Sequence, residues 1–287
     1  MISKSTAIHL RFPFSFFLAP IFFFGLSEAA LPLDPGRTLL IFAVLHLLLY
    51  PASNGFNSYY DRDEGSIGGI EHPPPVTENL LVWSLFLDIA AVTAAAFVNP
   101  WFALMVFVFG LLSKAYSWPE IRLKKRPVFS WLGIGVIQGG LMFLAAACFA
   151  GTGTPALSTP TLWSGAAAIC LFYLAGYPLT QVYQHDEDRR RGDRTISMLV
   201  GVRGTFLLSG AIFLAAACLF VWHFAVLKAS PGRAAAFLLI QTPLVLYFTY
   251  WAWLAFRDAR QADFRHAMMM NLLSSALNNV FFVWNVV

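Results

Sequence analysis

Charge is what this chain has least of. Only 12% of its 287 residues are charged, against about 25% in an ordinary soluble domain. That scarcity excludes a soluble globular fold, and length no longer serves to count domains. Cysteine is scarce too. Cys148, Cys170 and Cys218 each lie inside an apolar run, at no metal-like spacing, and read as small packing residues. The formal net charge is only +4, which is no nucleic-acid signal in an apolar chain whose cations fall in loops. What the chain does have is 58% hydrophobic residues. The class that follows is all-α: a polytopic membrane protein, one domain over residues 1–287.

A spanning helix needs about 20 mostly apolar residues. Nine such stretches fall near 12–33, 38–60, 78–98, 100–117, 129–150, 161–184, 204–227, 234–256 and 266–286. The breaks between them carry turn chemistry, as in LPLDPG, the Asn99–Pro100 pair and GTGTPALSTPT. A cleaved leader is the alternative for the first stretch, but Pro13 and Pro20 interrupt its apolar run. With the N-terminus cytoplasmic, 16 of the 19 lysines and arginines fall on the cytoplasmic side. Only Arg37, Lys228 and Arg233 fall outside. The positive-inside rule therefore supports nine spans, a cytoplasmic N-terminus and a C-terminus outside. The expected location is the cytoplasmic membrane of a bacterium.

One polar stretch interrupts this pattern twice. Residues 50–65 read YPASNGFNSYYDRDEG, and residues 177–192 read YPLTQVYQHDEDRRRG. A shift of 127 positions lays one on the other without a gap. Tyr50 meets Tyr177, Asn54 meets Gln181, Asn57 meets Gln184, Asp61 meets Asp188, Arg62 meets Arg189 and Gly65 meets Gly192. In each copy two amides and an aspartate are spaced i, i+3, i+7 and share a helix face. His46 extends the first face backward. Both sets are expected at the C-terminal ends of their helices, with Gly65 and Gly192 where the chain leaves.

Carboxylates at a helix C-terminus meet the negative end of the macrodipole, at a cost of roughly 0.3–1 kcal/mol each. Two helices making that choice point to a compensating cation. Amide and carboxylate oxygens are hard ligands that suit Mg²⁺, which completes its shell with water and substrate phosphate. The residues alone thus lead to a Mg²⁺–diphosphate site at the cytoplasmic mouth of a helical bundle. Surface ion pairing of these acids by the nearby arginines is the plainer alternative.

At these positions the sequence resembles the UbiA family of intramembrane prenyltransferases. The family pattern N-x-x-x-D-x-x-x-D is met by Asn57 and Asp61, while its last aspartate falls on Gly65, with Asp63 and Glu64 nearby. The pattern D-x-x-x-D followed by R-x-x-G-x-R-T is met by Asp188, Arg189, Gly192, Arg194 and Thr195. Its first aspartate falls on Gln184, with Asp186 as a stand-in. A third pattern, Y-S-x-P-x-I-R-x-K, is met by Tyr116, Ser117, Pro119, Ile121, Arg122 and Lys124. The resemblance implies a nine-helix bundle with a cytoplasm-facing central cavity. It implies Mg²⁺-dependent transfer of an isoprenyl group from its diphosphate to a lipophilic acceptor, aromatic and quinone-precursor-like. Asp61 and Asp188 would bind metal, with Asn57 and Gln184 as direct or water-mediated partners and Asp63 and Asp186 as second choices. Arg122, Lys124 and Tyr116, then Arg62 and Arg189, would hold the diphosphate, leaving Arg190, Arg191 and Lys125 as topological anchors.

Polar residues at membrane depth are costly and invite a role. His46, Asp88, Asn271 and Asn278 are the candidates for an acceptor pocket, each weighed against a packed, hydrogen-bonded structural role. Two other functions compete. A transporter would fit two related half-sites, but spans 2 and 6 run in the same direction and the carboxylates lie at the mouth rather than the midplane. A catalytically lapsed binder of isoprenoid diphosphate would fit the departures at Gly65 and Gln184.

Overall fold

The computed structural model describes residues 2–153 and 157–287. Among them nine helices are long and apolar enough to cross a membrane: α1 (Lys4–Ser27), α2 (Pro35–Asp61), α3 (Asn79–Val98), α4 (Pro100–Ser117), α5 (Pro127–Phe149), α6 (Pro160–Arg191), α7 (Ile196–Leu227), α8 (Pro231–Arg257) and α9 (Phe264–Val286). The nine expected spans are all present. Part of the GTGTPALSTPT connection lies outside the described residues.

Local chemistry sets the helix starts. Pro35, Pro100, Pro127, Pro160 and Pro231 open α2, α4, α5, α6 and α8, where a missing N–H costs nothing and φ is already helical. Asp34, Asn99, Thr195 and Asp263 cap α2, α4, α7 and α9 through side-chain oxygens that accept backbone N–H bonds. The first span starts earlier than expected because Ser3 caps it. Arg11 then takes a left-handed conformation (φ 50°), and Phe12–Leu18 continues as a 3₁₀ segment around Pro13. Three π-helical segments, Val44–Leu49, Ile134–Leu141 and His223–Leu227, lie within α2, α5 and α7.

Helices adjacent in sequence pack side by side from α2 to α4 and from α5 to α9, and α1 packs against both α9 and α5. One end of the bundle is filled by phenylalanines. Phe24, Phe143, Phe220, Phe224, Phe237, Phe281 and Phe282 are fully buried there and pack on one another. At the edge of this plug the buried carboxylate of Glu28 meets His223 (3.3 Å) and Lys228 (3.1 Å). Large apolar side chains such as Phe97, Leu239, Trp101 and Ile89 are exposed on the outside, as a lipid-facing surface requires. The opposite end, where α2 and α6 finish, carries the repeated polar stretches.

Candidate active site

A cavity of about 530 Å³ opens at that charged end. Asn54, Asn57 and Asp61 of α2 line one wall, and Gln181, Gln184 and Asp188 of α6 line another. The two copies of the repeat therefore face one space. Asp63, Tyr116, Lys124 and Asn271 also line it, and its deeper wall is apolar, with Phe17, Ile134, Ile137, Phe172 and Phe213.

Ion pairs organise the mouth. Asp61 is buried, with Lys124 Nζ at 2.6 Å and Arg122 at 3.6 Å. Asp193 is the second anchor: its fully buried carboxylate accepts bonds from Arg122 Nε (2.7 Å) and a terminal guanidinium nitrogen (2.8 Å), with Lys124 at 2.9 Å. Burial pushes the Asp193 carboxyl up, but the bonds from Arg122 and the charge of Lys124 outweigh it and hold it below its ordinary value. Asp63 pairs with Arg191, and burial still leaves its carboxyl above the usual range. Asp188 has no ion pair among the described residues. Asn57 Oδ1 accepts a bond from Ser117 Oγ (2.5 Å), and the Tyr116 and Tyr177 hydroxyls meet at 2.5 Å.

Several expected site residues lie elsewhere. Arg62, rather than Gly65, is the left-handed residue that ends α2 (φ 47°). The turn carries its guanidinium outward to Glu78 (2.9 Å). Asp186 and Arg189 pair at 3.2 Å with 91% and 69% of their side chains exposed, so neither reaches the cavity. Glu64 is exposed as well. Arg122 does not line the cavity and acts on it only through Asp193 and Asp61. The second copy is also no continuous helix. α6 breaks into 3₁₀ turns over Tyr177–Thr180 and Val182–Gln184, and a new helical segment runs His185–Arg191. Asp188 thus sits in the first turn of that segment, so the macrodipole argument holds for Asp61 and fails for Asp188. Gly192 does end this segment, at φ 70°.

The acceptor candidates divide. Asn271 lines the cavity beside Ser274 and Ser275. Asn278 is buried outside it and accepts a bond from Gln241 Nε2 (3.0 Å). Asp88 pairs with Lys114 of α4. His46 stacks on Phe42 away from the cavity. The reason is the π-helical segment Val44–Leu49, whose wider turn rotates His46 off the face that Asn57 and Asp61 occupy.

Four residues that sequence reasoning left out belong to the site. Arg11 is buried, lines the cavity and has no ion pair among the described residues. Its guanidinium donates to the carbonyls of Gly68 (3.2 Å) and Asn54 (3.3 Å), and its Nε has no partner. Its signal was a lone arginine in an apolar segment. Asp193 was visible as the carboxylate between Gly192 and Arg194. Arg191, expected as an anchor, is instead a bridge: it donates to Asp63, to Glu187 (2.8 Å) and to the Arg62 carbonyl (3.0 Å). Glu187 itself had no sequence signal.

Residues 17–275 match the UbiA prenyltransferase family. A digeranylgeranylglyceryl phosphate synthase of Methanococcoides burtonii is 26% identical over 182 residues, 61% of this chain and 60% of the relative. A lycopene elongase/hydratase of Corynebacterium glutamicum is 24% identical over 178 residues, again 61% and 60%. The chain thus spans about 60% of the length of these curated relatives. Among solved structures, a UbiA homolog of Archaeoglobus fulgidus described as bound to GPP and Mg²⁺ superposes with a TM-score of 0.70 at 16% identity, covering 99% of both chains. An apo UbiA homolog of Aeropyrum pernix gives 0.70 at 19% identity, covering 96% of this chain and 98% of that one.

Proposed function

Because this chain belongs to the UbiA prenyltransferase family, as the match over residues 17–275 shows, we propose that it transfers an isoprenyl group from a prenyl diphosphate to a membrane-dissolved lipid acceptor. The observation that carries this reading is the single cavity in which both copies of the repeat meet, with hard oxygen ligands and a lysine at its mouth and an apolar wall beyond. The family resemblance leads toward an aromatic, quinone-precursor-like acceptor. The curated relatives are named instead for a glyceryl phosphate lipid and a carotenoid, which favours a lipid over an aromatic acceptor. By charge distribution the mouth faces the cytoplasm and Val287 lies outside.

The donor set fits Mg²⁺. Asp61, Asp188 and Asp63 offer carboxylates, and Asn57 and Gln184 offer amide oxygens, all on the cavity wall. Among the described residues no three His, Cys, Asp or Glu side chains converge as a ready metal centre. Few protein ligands, completed by water and phosphate, is the habit of this ion. When bound, it would stabilise charge on the departing diphosphate.

The chain's own residues supply the rest. Lys124, held between Asp61 and Asp193, is placed to shift its ammonium to a phosphate oxygen as the allylic C–O bond breaks. Arg11 offers a second cation that has no carboxylate partner among the described residues. Phe172 and Phe213 keep water from the carbocation that results. Protein reconstituted with labelled geranylgeranyl or farnesyl diphosphate, Mg²⁺ and a membrane lipid extract should yield a labelled lipid, and EDTA should abolish it. Asp61→Asn and Asp188→Asn should each lower kcat by about 100-fold or more, the scale of losing an electrostatic group at the reacting centre. Diphosphate binding without product would mark a lapsed enzyme, and full activity in both variants would refute the paired site.

A further inference from the structure

Two positions of the repeat depart from the family's aspartate pattern, Gly65 and Gln184. The structure brings both to one seam. The Glu187 carboxylate accepts the backbone N–H of Glu64 (2.8 Å) and of Gly65 (3.2 Å). A Cβ added at Gly65 would stand 2.6 Å from Glu187 Oε2. An aspartate at 65 would thus push its carboxylate into the space that Glu187 fills. On the same seam Gln184 Nε2 donates to the Ser66 carbonyl (3.1 Å). An ionised aspartate at 184 could not donate and would face that carbonyl with a like partial charge.

We propose that Gly65, Gln184 and Glu187 form a clasp that fixes the strap after α2 to the end of α6, so that Glu187 is a positioning residue for the prenyl diphosphate. The inference rests on the proposed transfer reaction for what it positions, though not for the clasp itself. The strap crosses the mouth and is pinned at further points. Arg11 donates to the Gly68 carbonyl (3.2 Å), and Arg265 pairs with Glu71 (3.1 Å). Arg191 carries the clasp inward, since it bonds Glu187 and holds Asp63 against the cavity. At the two positions where the family pattern has aspartates, this chain instead has residues through which the two halves of the mouth are joined. Asp61, Asp63 and Asp188 remain as the acidic lining. The departures are thus one coupled device rather than two separate losses.

Hydrogen exchange of the full-length protein in nanodiscs, read by mass spectrometry over residues 62–72, tests the clasp without substrate. The Glu64 and Gly65 amides should exchange slowly in the native protein. Glu187→Ala and Gly65→Asp should each speed them about tenfold or more, and Gly65→Asp should add nothing in the Glu187→Ala background. If either variant fails to fold, the other probes the same bonds from the opposite side. In the transfer assay Glu187→Ala should raise KM for the prenyl diphosphate several-fold, with kcat within about twofold. Glu187→Gln, which keeps an oxygen for one amide, should recover part of that loss. Fast exchange in the native protein, additive effects of the pair, or an unchanged KM would overturn the proposal. A clasp that responds as expected in a protein without transfer activity would sink the proposed reaction and leave the clasp standing.

Discussion

Replacing Asp193 by asparagine should destabilise the protein more than any surface charge change. Its carboxylate has no solvent exposure, while the side chains of Arg122 and Lys124 keep 12% and 7% of theirs. Three charged donors converge on its two oxygens, from Arg122 Nε and a terminal nitrogen and from Lys124. Asparagine keeps one oxygen, so roughly two charge-assisted bonds at about 1.5–3 kcal/mol each are lost. That agrees with the roughly 3–5 kcal/mol cost of leaving one member of a buried pair alone. Asp186→Asn is the control, because its pair with Arg189 is exposed and such pairs contribute about 0–1 kcal/mol. Titration with SDS, read by tryptophan fluorescence, compares the three proteins. The pH dependence has a definite sign. A carboxyl held below its ordinary value contributes fully above the usual carboxylate range, and the contribution fades as pH falls through the depressed value. The gap between Asp193→Asn and the native protein should therefore stay constant from about pH 6 to 8 and close only in strong acid. Equal losses in Asp193→Asn and Asp186→Asn would refute the reasoning.

Asn271→Leu should raise KM for the acceptor about 2–10-fold, the worth of one hydrogen bond, whereas Asn278→Leu should lower stability through its bond to Gln241 and leave that KM alone. Asp88→Asn should cost about 1.5–3 kcal/mol through its bond from Lys114, with kinetic constants of the remaining folded enzyme unchanged. A reporter fused after Val287 should be active only in its extracytoplasmic form, and activity of a cytoplasmic reporter would reverse the proposed orientation.

Most of the fold was legible because hydropathy and proline placement act locally. A run such as Asn79–Val98 needs no partner to declare itself a span. The first wall of the cavity was legible for the same reason, since Asn54, Asn57 and Asp61 share a regular helix. Errors arose where the backbone leaves the 3.6-residue period. The π-helical segment in α2 turned His46 away, and the break at Gln184 threw Asp186 outward while keeping Asp188 inside. Pairings across helices were invisible for a different reason. Nothing in the local sequence joins Asp88 to Lys114, Arg122 to Asp193 or Glu187 to Gly65, because those contacts exist only once the bundle has closed. Arg11 was hidden by its isolation, and burial with no carboxylate partner among the described residues is what distinguishes it from a topological anchor.

The two repeated stretches share a pattern of residues but not a shape. Asp61 closes an unbroken helix and is tied to Lys124, while Asp188 rides on a separate short segment with no ion pair among the described residues. A prenyl diphosphate has unlike ends, one phosphate esterified to the chain and one terminal. Two equivalent half-sites would accept it either way round, and one of those ways would aim the isoprenoid at the mouth instead of along the Phe172 and Phe213 wall. Unlike halves remove that ambiguity. On the proposed reading, the polarity of substrate binding comes from the differences between the two stretches, and a substitution that made them more alike would be expected to increase unproductive binding before it weakened affinity.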